Sequence, residues 1–416
     1  MGPFKYRDFR LLWFGWLFAA MGSWIHQLTS SWLILELTNS PFMLGLNGVF
    51  MSVPFLIMSL YGGALADRMD RRKLLVLAQC CLTLLAFIPA VLTYLEVIRV
   101  WHIYALSFIS WTVAAFDAPA RHAMIPSLVP REHLMRAIAV TSILRRVTAL
   151  IGPLIGGFAI STVGIAGAFL TYALLHSMVL ISVILIRSHP TELEHKGTSM
   201  ARSIVDGLKE MQRHPVIFGI LTLEAVHTFF GSYQELMPVF ARSVLEVGPT
   251  GLGFLYASPG VGAFLATGVL ILIGDVKKKG PVFMVTAFLQ PVLVGCFALS
   301  PWMGFSMGVM MLVGLIDVVG GTLRNTMLQL SAQERMRGRV MAMNMMVHRG
   351  LGPMSGIQAG TLATFFGAPF ALTTGVIIVL SYATFLFHRT PELRQYSEGR
   401  QRESLRPAAT EPGAAT

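Results

Sequence analysis

The 416-residue chain predicts an all-α membrane protein, with twelve transmembrane helices as two six-helix pseudo-symmetric bundles. Three observations lead there. Apolar residues make up 54% of the chain against 13% charged, with a mean hydropathy of +0.65, a balance that no soluble fold of this length tolerates. Twelve segments come close to the roughly 20 apolar residues that a bilayer crossing needs. They lie at about 11–34, 43–66, 74–97, 101–118, 137–160, 165–187, 215–241, 251–273, 281–300, 302–323, 338–363 and 367–388. The second half also repeats the first. Pro41, Gly45 and Asp67 recur at one constant interval as Pro249, Gly253 and Asp275, and Gly152-Pro153-x-x-Gly156 returns at a slightly shorter one as Gly352-Pro353-x-x-Gly356.

Span 1 follows Lys5, Arg7 and Arg10 and is too long for the apolar core of a cleavable signal, so it is expected to be retained. It carries His26 and Gln27, with Ser30 and Ser31 one turn on along the same faces. This polar patch either lines a central cavity or glues helices together. Span 2 ends in Gly63-Ala64-Leu65-Ala66-Asp67-Arg68, and Asp70, Arg71, Arg72 and Lys73 lead into span 3. An acid there can accept hydrogen bonds from a helix N-terminus, the cations favour the cytoplasmic side, and Gly63 allows close helix approach. Cys80 and Cys81 in span 3 and Cys296 in span 9 read as inert buried thiols.

Span 4 ends at Asp117, with Arg121 one turn beyond. Span 5 holds Arg145 and Arg146, then Gly152-Pro153-Leu154-Ile155-Gly156-Gly157, which permits a kink and close packing. The most polar internal stretch, 188–214, contains Ser203, Ile204, Leu208 and Met211, spaced as the N-cap and apolar face of a short interfacial helix. Span 7 carries Glu224 and Glu235, span 10 Asp317 and span 11 Arg349. The residues from about 390 lack apolar periodicity and are expected to be disordered. The expected organisation is therefore a bundle at 1–187, a cytoplasmic linker at 188–214, a second bundle at 215–389 and a tail at 390–416.

The formal charge of +11 is a matter of topology. With the N-terminus inside, the outer loops hold only Arg99 and Arg242 among the Lys and Arg residues, and Arg145, Arg146 and Arg349 fall within spans. The remaining cations all lie on the inner side, Arg324 among them in the loop after span 10. This asymmetry assigns both termini to the cytoplasm and excludes a nucleic-acid footprint.

The loop between spans 2 and 3 resembles the signature loop of the major facilitator superfamily. Three further segments resemble its drug:proton antiporter branch, which contains enterobactin exporters and macrolide efflux pumps. They are Gly22-Ser23-Trp24-Ile25 with Leu37-Thr38-Asn39-Ser40-Pro41, Asp117-Ala118-Pro119-Ala120-Arg121 through Ile125-Pro126-Ser127-Leu128-Val129-Pro130-Arg131-Glu132, and Arg337-Gly338-Arg339-Val340. The chain departs from the pattern at Asp70, where the loop usually has Gly, and at Leu144 and Thr148, where the span 5 motif has glycines. The central Arg pattern of span 4 is absent, which leaves the coupling machinery open. The resemblance implies six-helix halves related by an axis along the membrane normal. It also implies a conformational latch of Gly63, Asp67, Arg68, Arg71, Arg72, Asp117 and Arg121, and an antiporter kink at Gly152, Pro153, Gly156 and Gly157.

Ionisable residues inside spans are functional candidates. Glu224, Asp317, Glu235 and Arg349 are candidates for proton coupling, Glu224 and Asp317 foremost because apolar residues flank both, with Asp317 and Arg349 as a potential pair. His26, Gln27 and Arg145 are cavity candidates, and His176, His227 and His348 read as satisfied interior histidines. No metal-ligand spacing and no phosphate-binding loop occurs, so no cofactor, metal or ATP is expected. The function this implies is export of a hydrophobic or amphipathic small molecule across a prokaryotic inner membrane by a monomer exchanging it for protons. A dedicated siderophore or metabolite exporter, a nutrient importer and a non-transporting membrane sensor are the alternatives. An enzyme is disfavoured for want of a paired-acid or nucleophile motif.

Overall fold

The computed structural model describes residues 2–66, 71–187, 214–274, 276–334 and 336–396, and every regular element in them is helical. The first part holds α1 (Arg7–Thr38), α2 (Pro41–Ala66), α3 (Arg71–Tyr94), α4 (Val100–Leu128) and α5 (Arg131–Ile184). After the linker come α6 (Pro215–Phe230), α7 (Gly248–Ile273), α8 (Lys279–Ala298), α9 (Met303–Ser331), α10 (Arg337–Met346), α11 (Gly352–Phe366) and α12 (Ala368–Arg389). The expected linker helix, Asp67 and Arg68, Asp275, and the tail after 396 lie outside the described residues.

Local chemistry sets the breaks. Asn39 takes a left-handed conformation (φ 49°) that ends α1, and Pro41 opens α2 two residues later. α5 runs for 54 residues, about 80 Å at 1.5 Å per residue and so more than twice the bilayer core. It turns at Gly164 (φ 71°, ψ 179°), a conformation open to glycine, so its arms 131–163 and 165–184 are separate crossings. Among the described residues, eight helical stretches are long and apolar enough to cross a membrane by length and composition. α1 and α4 fall short because of polar residues within them, and α10 and α11 because a π-helical turn at Val347–Leu351 divides them.

Three sequence expectations need correction. Span 7, expected as one helix over 215–241, stops at Gly231 and continues as irregular turns through Val244. Side chains satisfy the carbonyls freed there: Gln358 donates to Phe229 O at 3.1 Å and Tyr256 to Gln234 O at 2.7 Å. Span 10 does not end at 323; α9 continues to Ser331, so Arg324 is a helix residue and not a loop cation. The tail does not lose order at 390. Pro391–Arg394 forms another turn, Leu393 and Tyr396 are buried, and Gly280 N donates to Tyr396 O at 3.1 Å.

Within the first part α5 packs on α1 and α3, and α2 on α4; within the second, α9 packs on α7 and α8, and α12 on α6, α8 and α11. Two seams join the parts, α2 with α11 and α5 with α7. Both are tight at the end away from the basic residues. A side chain at Gly253 would meet Pro153 O at 2.7 Å, and one at Gly157 would meet Pro249 O at 2.5 Å. Gly45 lies against the Gly356 carbonyl, and Gly48 against that of Pro353. Toward the basic end the helices separate: Gly260 still touches Leu150, whereas Gly268 and Gly338 have nothing within 4 Å. The buried apolar residues follow the same division. One cluster spans both parts at the tight end, and each part has its own cluster at the basic end. The molecule is pinched shut at one end and splayed at the other.

Candidate functional site

Glu224 sits past the middle of α6, buried to 8% side-chain exposure. Its Oε2 is paired with Arg324 Nη1 from α9, and its Oε1 lies 2.8 Å from His348 Nε2 in the π turn before α11. Thr228, one turn on, donates to Oε1 at 3.3 Å. Arg324 Nη2 also lies 2.7 Å from His348 Nε2. One imidazole nitrogen therefore faces a donor and an acceptor at once. The Arg324 contact asks Nε2 for a lone pair, and the Glu224 contact asks for a proton on either Nε2 or Oε1. Nε2 has a single in-plane site, so it accepts from Arg324 when it carries a lone pair and donates to Glu224 when it carries a proton, and gain or loss of that proton changes which contact is made. With 41% of its side chain exposed, His348 gives this proton a route to water.

The sequence picked out Glu224 alone. Arg324, expected in a loop, and His348, expected as a satisfied interior histidine, are both joined to the acid. The expected Asp317–Arg349 pair does not form. Asp317 accepts from Gln290 at 3.4 Å, and the Arg349 guanidinium lies 5.9 Å from the centre of the Phe55 ring. Arg145 and Arg349 are exposed, and Glu235 is half-buried beside Gly356 at the tight end. His26, bonded to Ser30 at 3.3 Å, lies in a pocket with Pro89, Ser110, Phe169 and Tyr172. All of these belong to the first part, so His26 does not face the cleft between the parts, and Gln27 beside it is half-buried.

Of the expected latch, Asp117 and Arg121 form a two-point ion pair (3.1 and 3.2 Å), and Gln79 of α3 donates to Asp117 Oδ1 at 2.7 Å. Arg72 caps the end of α5 by donating to Ile184 O at 2.8 Å. Gly63 lies in α2; Asp67, Arg68 and the side chain of Arg71 are outside the described residues. Of the kink residues, Gly152 lies against the Trp24 ring and a side chain at Gly156 would meet Ile25 Cα at 3.3 Å, so α5 approaches α1 on one side, while Gly157 and Pro153 approach α7 on the other. Among the described residues no cluster of three or more His, Cys, Asp or Glu is placed to hold a metal ion.

The structure is that of a helical membrane protein whose two parts join at one end and pack separately at the other, with a charged cluster buried in the second part. The sequence matches, over residues 1–410, the model of the family described as Transmembrane secretion effector, and the chain belongs to this family of the major facilitator superfamily. It is similar to the enterobactin exporter EntS of Escherichia coli O157:H7, with 27% identity over 395 residues, 88% of this chain and 90% of that one. The EntS of Shigella boydii serotype 4 is also 27% identical, over 86% of this chain and 88% of its own. Among solved structures the fold matches a bacterial homologue of the human lysosomal transporter Spinster in its inward-facing, unoccupied conformation (TM-score 0.70, 14% identity, 94% of this chain and 98% of that one). It also matches a D-xylose–proton symporter (TM-score 0.69, 15% identity, 94% and 98%).

Proposed function

We propose that the chain is a secondary active transporter that exports an amphipathic small molecule of the siderophore kind in exchange for protons. The reading takes it as twelve crossings in two six-helix bundles with both termini cytoplasmic, working by alternating access. The observation that carries it is the buried Glu224–Arg324–His348 cluster, whose contacts change with a single proton. It joins α6, α9 and the turn before α11, so a change of pairing acts on three helices at once. If the basic end is cytoplasmic, the pinched and splayed ends correspond to a carrier closed to the outside and open to the inside, ready to load substrate for export. Two states of similar energy need only a differential interaction of a few kcal/mol to exchange populations. The Asp117–Arg121 pair with Gln79 is suited to differ between such states, as part of the latch with Asp67, Arg68 and Arg71. The siderophore assignment rests on the enterobactin exporters that the chain resembles over most of its length.

Everted membrane vesicles test the reading directly, with enterobactin as the probe and a fluorescent pH indicator in the lumen. An acid lumen should drive enterobactin inward with simultaneous enterobactin-dependent loss of luminal protons, and a protonophore, which collapses the gradient by itself, should abolish the uptake. Enterobactin uptake that is unaffected by the pH gradient would count against antiport. Failure to move enterobactin while other amphiphiles exchange for protons would assign the chain to a broader exporter.

A further inference from the structure

The turn Pro391–Arg394 follows α12 and folds back across the basic end of the second part. Leu393 is fully buried and packs toward α6, where a side chain at Gly219 would meet it at 3.6 Å. Ser331, the last residue of α9, donates to the Tyr396 hydroxyl at 3.4 Å. Gly280, in the first turn of α8, donates its N–H to Tyr396 O at 3.1 Å. The Arg394 guanidinium stands 5.0 Å from the centre of the Phe387 ring on α12. Seven residues, 390–396, thus bridge the basic ends of four helices. The internal repeat gives this bridge a counterpart. In the first part Arg72, in the first turn of α3, donates to Ile184 O at the end of α5. Gly280 follows Arg72 at the interval that relates Pro41, Gly45 and Asp67 to their repeats. The second part therefore lacks that arginine and is tied through main chain instead. Only glycine allows it, since a side chain at Gly280 would collide with Leu393 O and meet Tyr396 Cβ at 2.9 Å.

Two of the bridged helices carry the buried charges. Glu224 lies little more than one turn along α6 from Gly219, and Arg324 two turns before Ser331 on α9. The buried residues between, Leu221 and Leu223 of α6 with Met327 and Leu328 of α9, share one cluster with Leu393 and Tyr396. We infer that residues 390–396 are a positioning strap: by clamping the basic ends of α6 and α9 they hold Glu224 in register with Arg324 and His348. A close-packed cluster passes a displacement on rather than absorbing it, and charge-assisted hydrogen bonds weaken steeply with distance and angle. The other titratable groups near the trio, His227 and Asp317, ride on the same two helices. Release of the strap lets α6 and α9 slip past one another, which changes the setting in which His348 gains or loses its proton. The consequence for transport rests on the trio being the proton site proposed above.

Gly280→Ala undocks the strap without harming α8, because alanine is the better helix former. Gly268→Ala, at a position with nothing within 4 Å, controls for the substitution itself. Docking is read in the purified full-length protein by tryptic cleavage after Arg394, followed by mass spectrometry. Cleavage should accelerate roughly tenfold in Gly280→Ala and stay at the wild-type rate in Gly268→Ala. Positioning is read by the NMR titration of His348 in protein carrying 13C-labelled histidine, with His348→Asn identifying the resonance. Its midpoint should move by about half a pH unit or more in Gly280→Ala and not in Gly268→Ala. Should Gly280→Ala fail to fold, Leu393→Ala removes the strap's buried anchor and takes its place in both measurements. Unchanged cleavage overturns the docking, and faster cleavage with an unmoved His348 midpoint overturns the positioning role. Neither measurement involves transport. Both expected results in a protein without proton-linked flux would support the strap and reject antiport, whereas proton-linked flux with an unmoved midpoint would do the reverse.

Discussion

Glu224 shows how much one residue's sequence context reveals and how much it hides. A carboxylate within an apolar run stands out, since burying it is unfavourable without a partner. The partner was not legible, because a hydropathy boundary near 323 left Arg324 outside the span. The usable signal was spacing: Arg324 follows Asp317 by two helical turns on one face of α9, and apolar residues resume at Met327 and Leu328. His348 carries no such signal, because one histidine in a span is usually only a hydrogen-bonding neighbour. The pairing has a measurable consequence. Arg324→Met strands the Glu224 charge and should lower stability by roughly 3 kcal/mol, whereas Glu224→Met with Arg324→Met should recover most of that loss. Thermal unfolding of the purified single and double variants gives the comparison. Additive losses would mean that the two side chains do not depend on each other.

Among the elements, the helix seams were the better forecast. Of the repeated Gly and Pro residues, Pro41, Gly45, Pro353 and Gly356 lie where α2 meets α11, and Pro153, Pro249 and Gly253 where α5 meets α7, because a hydrogen-sized side chain lets backbones approach so closely, whereas Gly152 and Gly156 face α1. The break after Phe230 was not forecast. The polar run Gly231–Glu235 is short and apolar residues resume at Leu236 through Phe240, so an average over a span does not register the loss of helix, and the side chains that satisfy the free carbonyls come from α7 and α11. Nor did composition reveal the ordered turn at 391–396, where two well-placed apolar residues, Leu393 and Tyr396, suffice. If the tight end is one position of a two-state hinge, Gly45→Leu should hold it open. In a background with Cys80, Cys81 and Cys296 replaced by Ser, Thr364→Cys lies beside Phe42 in the seam and reports on it. Its labelling by a water-soluble maleimide should accelerate roughly tenfold when Gly45→Leu is added. An unchanged rate would make the seam a static contact.

For the molecule as a whole, composition and the loop motifs were enough to anticipate a helical membrane protein of the major facilitator superfamily. Which end is closed was not legible, because the same residues must serve both conformations and no local pattern records the one adopted. Orientation rests on charge: Lys278 should face the cytoplasm and Glu246 the opposite side. In the same Ser-substituted background, an impermeant maleimide added to intact spheroplasts should label Glu246→Cys and spare Lys278→Cys. The reverse pattern would invert the topology and make the observed state outward-open. The central claim, that a proton on the Glu224 cluster drives export, is tested most directly by comparing wild type with Glu224→Gln in everted vesicles under an imposed pH gradient. Wild type should concentrate enterobactin in an acid lumen. Glu224→Gln should lose that accumulation yet still exchange labelled for unlabelled enterobactin down its gradient, since exchange needs no net proton movement. Accumulation by Glu224→Gln at the wild-type rate would contradict the account.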